Sequence, residues 1–266
     1  MGSSSAMLYI LASPVGDYFK VGSPMKLLVE TEHIHCAPHM GRVKCGSNYT
    51  SALQNVVRAR EQYGANQALF CPNGDVQETG TSNFALINGN EIITKQPPTE
   101  EFLHGITRDS VLHVAADLGY KVSECNFTVA ELQAAAENRA EATLTGTVAV
   151  VSPVTSFVIN GKEIVLQSQE HGTAIHNAIT DIQYGLAEDR YGWLCPYPSA
   201  DWPFVSPAFC IVKRSGNAFS GSLLPLCKAA AALPAVPTNC PLFSRSPDGV
   251  YTMADSIRFS YIHVSW

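Results

Sequence analysis

Charge and long apolar runs are both scarce in this sequence. Charged residues make up 15% of the 266 residues, and the formal net charge is −6. An acidic chain without a basic cluster is not typical of a nucleic-acid binder or of a protein that binds anionic membranes. No run of about 18 apolar residues is present, which excludes an ordinary membrane-spanning helix. The 46% of hydrophobic residues still permits a packed core.

Paired cysteine motifs are also missing. No two of the eight cysteines have the C-x-x-C spacing, so a zinc ribbon or a thioredoxin-like site is unsupported and free thiols are expected. No basic residue precedes Lys20, so the apolar run at residues 7–12 favours a buried strand over a signal peptide. A conceivable metal cluster matches no common zinc spacing, so no metal is expected there; its residues are His33, His35, Cys36 and His39.

The composition changes near residue 195. Residues 1–194 carry 12 basic and 20 acidic residues, whereas residues 195–266 carry five and three, with nine of the 16 prolines. Proline at this density breaks long helices. We therefore predict an irregular C-terminal tail over 195–266. A disordered tail, a loosely attached appendage and a translated stretch that was never a domain are all compatible with this composition.

Hairpin and helix signals alternate before residue 195. The turns Pro72–Asp75, Gly89-Asn90 and Asn160-Gly161 predict three hairpins. Capping-box patterns at Ser51–Gln54 and Thr128–Glu131 predict helix starts. Together these signals indicate an α+β domain with a largely antiparallel sheet.

Apolar spacing predicts the buried faces of three helices. The first ends at Gly64, the second covers 108–118 and is followed by Gly119, and the third ends near Gly185. The residues expected to face inward are Leu53, Val56, Val57 and Tyr63, then Val111, Leu112, Ala115 and Leu118, then Ile175, Ile179 and Ile182.

Four segments carry residues suited to chemistry. Lys44 stands among small residues before a helix, where a partly desolvated lysine can form a Schiff base. Glu78, among hydroxyl residues at a strand end, suits a cation or a protonated ring nitrogen. Thr107 lies at a helix start, where free N–H groups bind anions, and 144–148 offers further donors to a phosphate. Taken singly, a surface lysine, a polar turn and a plain helix cap explain these segments equally well.

In this order, the segments resemble the class IV (fold-type IV) aminotransferases, and most closely the branched-chain amino acid aminotransferases. The resemblance runs from Leu8 to Leu194 and rests on the stretches Ala12–Phe19, Lys44–Tyr49, Glu78–Asn83, Gly105–Ser110, Thr145–Thr147, Val151–Val154 and Asp181–Gly185. It implies an N-terminal strand and interdomain segment at 1–20. A D-amino acid aminotransferase-like large domain at 21–194, an antiparallel pseudo-barrel with packed helices, would follow.

The resemblance implies pyridoxal 5′-phosphate (PLP) as cofactor. Lys44 would bind PLP as a Schiff base and later transfer protons, Glu78 would pair with the pyridine nitrogen, and Tyr49 would bind the ring hydroxyl. The implied phosphate ligands are Ile106, Thr107 and Thr147, and the implied substrate-binding residues are Gly146, Thr147 and Val148.

The resemblance further implies transamination between Leu, Ile or Val and 2-oxoglutarate, giving branched 2-oxo acids and glutamate. The partners expected are these small molecules, with no nucleic acid or membrane, and the expected form is a cytoplasmic homodimer, an organellar form being left open. Ser47 stands where the family has glycine, and the family's smaller N-terminal domain has no counterpart in this chain. The alternatives are an impaired PLP-domain remnant, a D-amino acid transaminase and a 4-amino-4-deoxychorismate lyase.

Overall fold

The computed structural model describes residues 25–97 and 99–194, together with the backbone of Phe243–Arg245 and Tyr251–Met253. The larger of two units ends at Ile182, and the second includes Gln183 onward. The predicted strand at 7–12 and segment 1–20 lie outside the described residues, as does most of the predicted tail. Of the helices in the described ranges, none combines the length and the apolar character that a bilayer span requires.

Strands and helices alternate through the larger unit, which confirms the α+β fold class. Its strands are β1 (Lys26–Glu30), β2 (Gln67–Phe70), β3 (Asn83–Asn88), β4 (Glu91–Thr94), β5 (Lys121–Glu124), β6 (Glu141–Gly146), β7 (Val150–Pro153), β8 (Ser156–Ile159) and β9 (Lys162–Val165). The helices are α1 (Gly46–Tyr63), α2 (Ile106–Asp117), α3 (Val129–Glu137) and α4 (Glu170–Gln183), the last of which ends one residue beyond the unit. In the predicted tail, β10 (Phe243–Arg245) pairs antiparallel with β11 (Tyr251–Met253).

The larger unit contains two sheets. The first has the strand order β2-β1-β8-β9, and β1 is parallel to both of its neighbours. The second has the order β5-β4-β3-β6-β7 and is antiparallel except for the β4–β5 pair. The hairpins predicted from turn residues supply the antiparallel pairs. The parallel pairs come from long crossovers, which no local turn signal marks.

The main core lies between the two sheets. Buried apolar side chains from both sheets and from α3 form one cluster, which includes Leu27, Leu69, Phe157, Phe84, Leu144 and Leu132. A second cluster lies where α1 packs on the first sheet through Ala52, Ala59 and Phe70. Helix α2 packs against β5 and β6 of the second sheet.

Several local predictions are confirmed. Thr128 caps α3 through a complete capping box with Glu131. Asn160 and Gly161 both have positive φ between β8 and β9, as a type I′ hairpin turn requires. Gly64 ends α1 in the left-handed conformation. The three isoleucines of α4 are buried.

Two helix predictions are wrong in part. The Ser51–Gln54 pattern does not open α1, because the helix already begins at Gly46 with Cys45 as N-cap. The buried face of α1 consists of the small or polar residues Ala52, Asn55 and Ala59, whereas Leu53, Val57 and Tyr63 are exposed. In α2, Leu118 is also exposed because it lies at the C-cap, past the last helical residue.

Candidate functional site

The segment 78–83 lies at the centre of the candidate site. After β2, a 3₁₀ turn at Pro72–Gly74 reverses the chain, with positive φ at Asn73 and Gly74. The returning chain hydrogen-bonds to the end of β2, with Phe70 N donating to Glu78 O at 2.9 Å. This short antiparallel return fixes the backbone of Glu78 beside the buried end of a strand.

A tight turn joins Glu78 to β3. Thr79 Oγ1 accepts a hydrogen bond from Ser82 N at 3.0 Å, and Thr79 N donates to Ser82 O at 3.0 Å. The turn leads into Asn83, the first residue of β3, which lies opposite Thr145 of β6. Glu78, the turn and the end of β6 therefore meet at one edge of the second sheet.

The Glu78 carboxylate is buried and held by three donors. Its Oε1 accepts hydrogen bonds from His35 Nε2 at 2.8 Å and from Leu103 N at 2.9 Å, and its Oε2 accepts one from Asn83 Nδ2 at 2.8 Å. Burial raises the pKa of Glu78, and the hydrogen bonds from His35, Leu103 and Asn83 oppose that rise. A buried carboxylate with few charges nearby is stabilised in its ionised form by a cation beside it.

The N-terminus of α2 adjoins this carboxylate. Asn83 donates to both Glu78 Oε2 and Leu103 O, and a Cβ on Gly105 would lie only 2.2 Å from Asn83 Oδ1. Gly105 is the N-cap of α2 and no side chain caps the helix. The first N–H groups of the helix, at Ile106 and Thr107, therefore lack the side-chain acceptor that usually covers them.

The β6–β7 turn forms another border of the site. Gly146 ends β6, and a Cβ placed on it would come within 3.4 Å of Ser82 Oγ, in the turn after Glu78. Thr147 and Val148 follow in the connection to β7 and are exposed. The structure thus brings Gly146 against the Glu78–Asn83 segment and leaves the two next side chains open to solvent.

Lys44 lies on a loop that is fastened at several points. Gly41 N donates to Glu100 O at 2.9 Å, and a Cβ at Gly41 would collide with the backbone of 100–102. Asn48, in the first turn of α1, donates from Nδ2 to Met40 O at 2.8 Å and to Val43 O at 2.9 Å. These contacts fix the loop on both sides of Lys44.

Helix α1 brings the Lys44 loop to the Glu78 segment. Ala52 of the helix lies where a Cβ on Gly80 would approach to 2.9 Å, so only a glycine permits this close packing. The small inward residues of α1 therefore have a reason that hydrophobic spacing does not reveal: the helix must pack closely on a turn of the site.

The Lys44 side chain is exposed, contrary to the expected partial desolvation, because it projects from a loop rather than from a packed strand. Its Nζ lies 5.8 Å from the ring centroid of Tyr49, which is also exposed. Tyr49 lies within α1 rather than before it. Lys44 and Tyr49 are thus neighbours, as the sequence motif suggests, on an open surface.

The conceivable zinc cluster does not converge on one point. His33 Nδ1 lies 3.2 Å from Glu30, whereas His35 Nε2 faces Glu78. Within the described residues, the one group with metal-ligand geometry is Glu30, Glu32 and His33. Glu30 of that group already accepts from two backbone N–H groups and pairs with Arg58, so a cation there would have to displace an existing partner.

Sequence reasoning missed the contacts of His35 and Asn83 with Glu78. His35 stands 43 residues before Glu78, and Asn83 donates to Leu103 across 20 residues. No local pattern connects such distant residues. A buried polar contact of this kind is visible only when the fold brings the separate segments together.

Comparison with known proteins gives a consistent result. The family model described as amino-transferase class IV matches residues 4–157. The chain is 33% identical over 191 residues to branched-chain-amino-acid aminotransferase 6 of Arabidopsis thaliana, an alignment that covers 70% of this chain and 52% of that protein. It is 34% identical over 202 residues to branched-chain-amino-acid aminotransferase 2 of Bacillus subtilis, covering 72% and 55%. The chain therefore spans about half the length of the curated relatives it matches.

Solved structures match the same region. The branched-chain aminotransferase of Thermoproteus uzoniensis with norvaline is similar with a TM-score of 0.58 and 29% identity, over 69% of this chain and 59% of that chain. The T.th. branched-chain amino acid aminotransferase with pyridoxamine 5′-phosphate is similar with a TM-score of 0.54 and 26% identity, over 65% and 55%.

Proposed function

The chain belongs to the class IV aminotransferases, and from this premise we propose that it binds PLP and transfers amino groups between branched-chain amino acids and 2-oxoglutarate. The membership confirms the resemblance drawn from the motifs. The observation that carries the proposal is the convergence of the α2 N-terminus, the β6–β7 turn and the α1 side of the Lys44 loop on the segment that bears Glu78.

The carboxylate of Glu78 fits a protonated ring nitrogen. Its Oε2 accepts one hydrogen bond, from Asn83, whereas a carboxylate oxygen has room for about two. Burial raises the pKa of Glu78, and a cationic N–H at the free position of Oε2 would offset that cost. PLP, when bound, supplies an electron-withdrawing ring that stabilises negative charge at a substrate carbon, and pairing with Glu78 favours the protonated form of its ring nitrogen.

The α2 N-terminus fits the phosphate. An uncapped helix of twelve residues offers backbone N–H groups and the positive end of its dipole to an anion. Ile106 and Thr107 would bind phosphate oxygens there, with Thr147 of the β6–β7 turn on another side. Asp109, in the first turn, lies with its carboxylate 3.6 Å from His113 Nδ1, one helical turn further on.

The remaining roles belong to Lys44 and its surroundings. Its Nζ would bind the cofactor aldehyde carbon and would accept and return a proton when a substrate amine takes its place. Tyr49 would hydrogen-bond the ring hydroxyl. Gly146, Thr147 and Val148 would border the substrate carboxylate, where exposed backbone can reach a ligand.

A turnover assay on the full chain tests this function. Purified protein is supplied with PLP, leucine and 2-oxoglutarate, and glutamate is measured. We expect glutamate formation that Lys44→Ala and Glu78→Ala both abolish, because one variant lacks the attachment nitrogen and the other lacks the ring-nitrogen partner. Ile34→Ala, an exposed position outside the proposed contacts, is the matched control and should keep the activity.

A second candidate function is cofactor binding without turnover. The exposure of Lys44, Tyr49 and Thr147 favours it, because an open site does not exclude water from the reaction. Bound PLP with no glutamate from leucine, isoleucine or valine would support this alternative. A homodimer and a cytoplasmic location complete the proposal, and light scattering tests the first of them.

A further inference from the structure

We propose that His35 is a positioning residue for Glu78: by donating from Nε2 to Oε1, it turns Oε2 towards the place of the cofactor ring nitrogen. This inference rests on the proposed function, because the ring nitrogen is that of PLP. It adds a residue that touches neither the cofactor nor the substrate and acts through the carboxylate.

The burial of His35 differs from that of its neighbours. His33 and Ile34 are exposed, yet only 5% of His35 is accessible, and its ring lies 5.7 Å from the Phe70 ring at the end of β2. The Nε2–Oε1 distance is 2.8 Å, with both side chains buried. An imidazole in this position is enclosed by the same strand end that fixes the backbone of Glu78.

The other ring nitrogen of His35 shows that packing alone does not explain the residue. Nδ1 is buried and has no hydrogen-bond partner in the described residues. A buried polar atom without a partner is costly, so an apolar side chain would fill this space more favourably. What histidine adds to the position is its single hydrogen bond to Glu78.

The donors around Glu78 divide into two groups. His35 and Leu103 N–H both hold Oε1, whereas Asn83 alone holds Oε2. Two donors on one oxygen fix the rotation of the carboxylate about its last torsion and leave the free acceptor position on the other oxygen. Removal of the His35 donor would leave Oε1 with a single backbone partner and allow the carboxylate to turn.

His35 also begins the loop that carries Lys44. From His35 the chain passes Gly41, which is fixed on Glu100, to Lys44 just before α1. The His35–Glu78 contact therefore fastens the start of the lysine loop to the carboxylate. Lys44 and Glu78 would bind opposite sides of the same pyridine ring, so a fixed spacing between them favours cofactor binding.

The test compares two nearly isosteric replacements in the full chain. His35→Gln keeps a donor close to the position of Nε2, and His35→Met fills similar space without a donor. PLP affinity is measured by the visible absorbance of bound cofactor, and urea unfolding without PLP reports folding. We expect His35→Met to weaken PLP binding at least about tenfold, the effect of losing one hydrogen bond to a charged group. His35→Gln and the control His33→Met should stay within about twofold of the wild type.

Glu78→Gln shows whether His35 acts through the carboxylate. In that background His35→Met should add no further loss of PLP affinity. Wild-type affinity in His35→Met, equal losses in the Gln and Met variants, or independent losses from His35 and Glu78 would each overturn the inference. If His35→Met does not fold, His35→Asn replaces it, because its shorter amide cannot reach Oε1.

Failure of this inference differs from failure of the proposed function. A wild-type chain that takes up no PLP contradicts both. A wild-type chain that binds PLP and loses affinity in Glu78→Gln, but not in His35→Met, contradicts only the role of His35.

Discussion

Gly105→Ala is expected to destabilise the protein because the new methyl group would meet Asn83. The added Cβ would lie 2.2 Å from Asn83 Oδ1, whereas ordinary contacts begin near 3.4 Å, so Asn83 would have to move by more than about 1 Å. Asn83 is buried and bound through Nδ2 to Glu78 at 2.8 Å and to Leu103 O at 2.6 Å. Overpacking that breaks such contacts costs about 1–3 kcal/mol.

Gly46→Ala is the matched control for that substitution. Gly46 is the first residue of α1, and a Cβ there would meet no atom within 4 Å. Alanine favours the helix over glycine by up to about 1 kcal/mol, so this variant should be as stable as the wild type or slightly more stable. Urea unfolding followed by circular dichroism measures both variants. Equal stability of Gly105→Ala and the wild type, or an equal loss in Gly46→Ala, would refute the packing argument.

Three further predictions concern caps, charge and the α1 face. Thr128→Ala should cost about 1 kcal/mol in urea unfolding, because it removes the capping box with Glu131; an unchanged midpoint would contradict this. Burial raises the pKa of Glu78 above its unfolded value, so cofactor-free wild type should lose stability relative to Glu78→Gln as pH rises from the unfolded pKa to that raised pKa, with a slope approaching about 1.4 kcal/mol per pH unit and no such loss below the unfolded pKa. A pH-independent difference between the two proteins would disprove this linkage. Leu53→Ala should change the unfolding free energy by at most about 0.5 kcal/mol, whereas Ala59→Leu should cost about 1–3 kcal/mol; the reverse order would mean that α1 packs through its other face.

The parts of the fold that were predictable are those fixed by local chemistry. The Asn160-Gly161 turn follows from two residues that tolerate positive φ, and the α3 start follows from the Thr128 capping box. The buried isoleucines of α4 follow from helical spacing alone. Each of these signals lies within one short segment, so no knowledge of the tertiary structure is needed to interpret it.

The inward face of α1 and the parallel ladders were not predictable in this way. Leu53 and Val57 have the spacing of a buried stripe, but Ala52 and Ala59 occupy the interface because Gly80 and the first sheet approach closely. The parallel pairing of β1 joins strands separated by long connections. In both cases tertiary packing overrides the local pattern.

The candidate site divides in the same manner. Motif resemblance singled out Lys44, Glu78 and Thr107, whose roles stay predictions. It did not reveal His35 as a partner of Glu78, nor the collision between Gly105 and Asn83, because those contacts join segments far apart in sequence. It also suggested a partly desolvated Lys44, whereas the side chain is exposed.

The most direct test of the account is to map the lysine that binds PLP. The full chain is incubated with PLP, reduced with borohydride, digested and analysed by peptide mass spectrometry. The account predicts a phosphopyridoxyl group on Lys44 at near-stoichiometric yield, and its loss in Lys44→Arg. Label distributed over exposed lysines such as Lys121 and Lys162, with no preference for Lys44, would contradict the account.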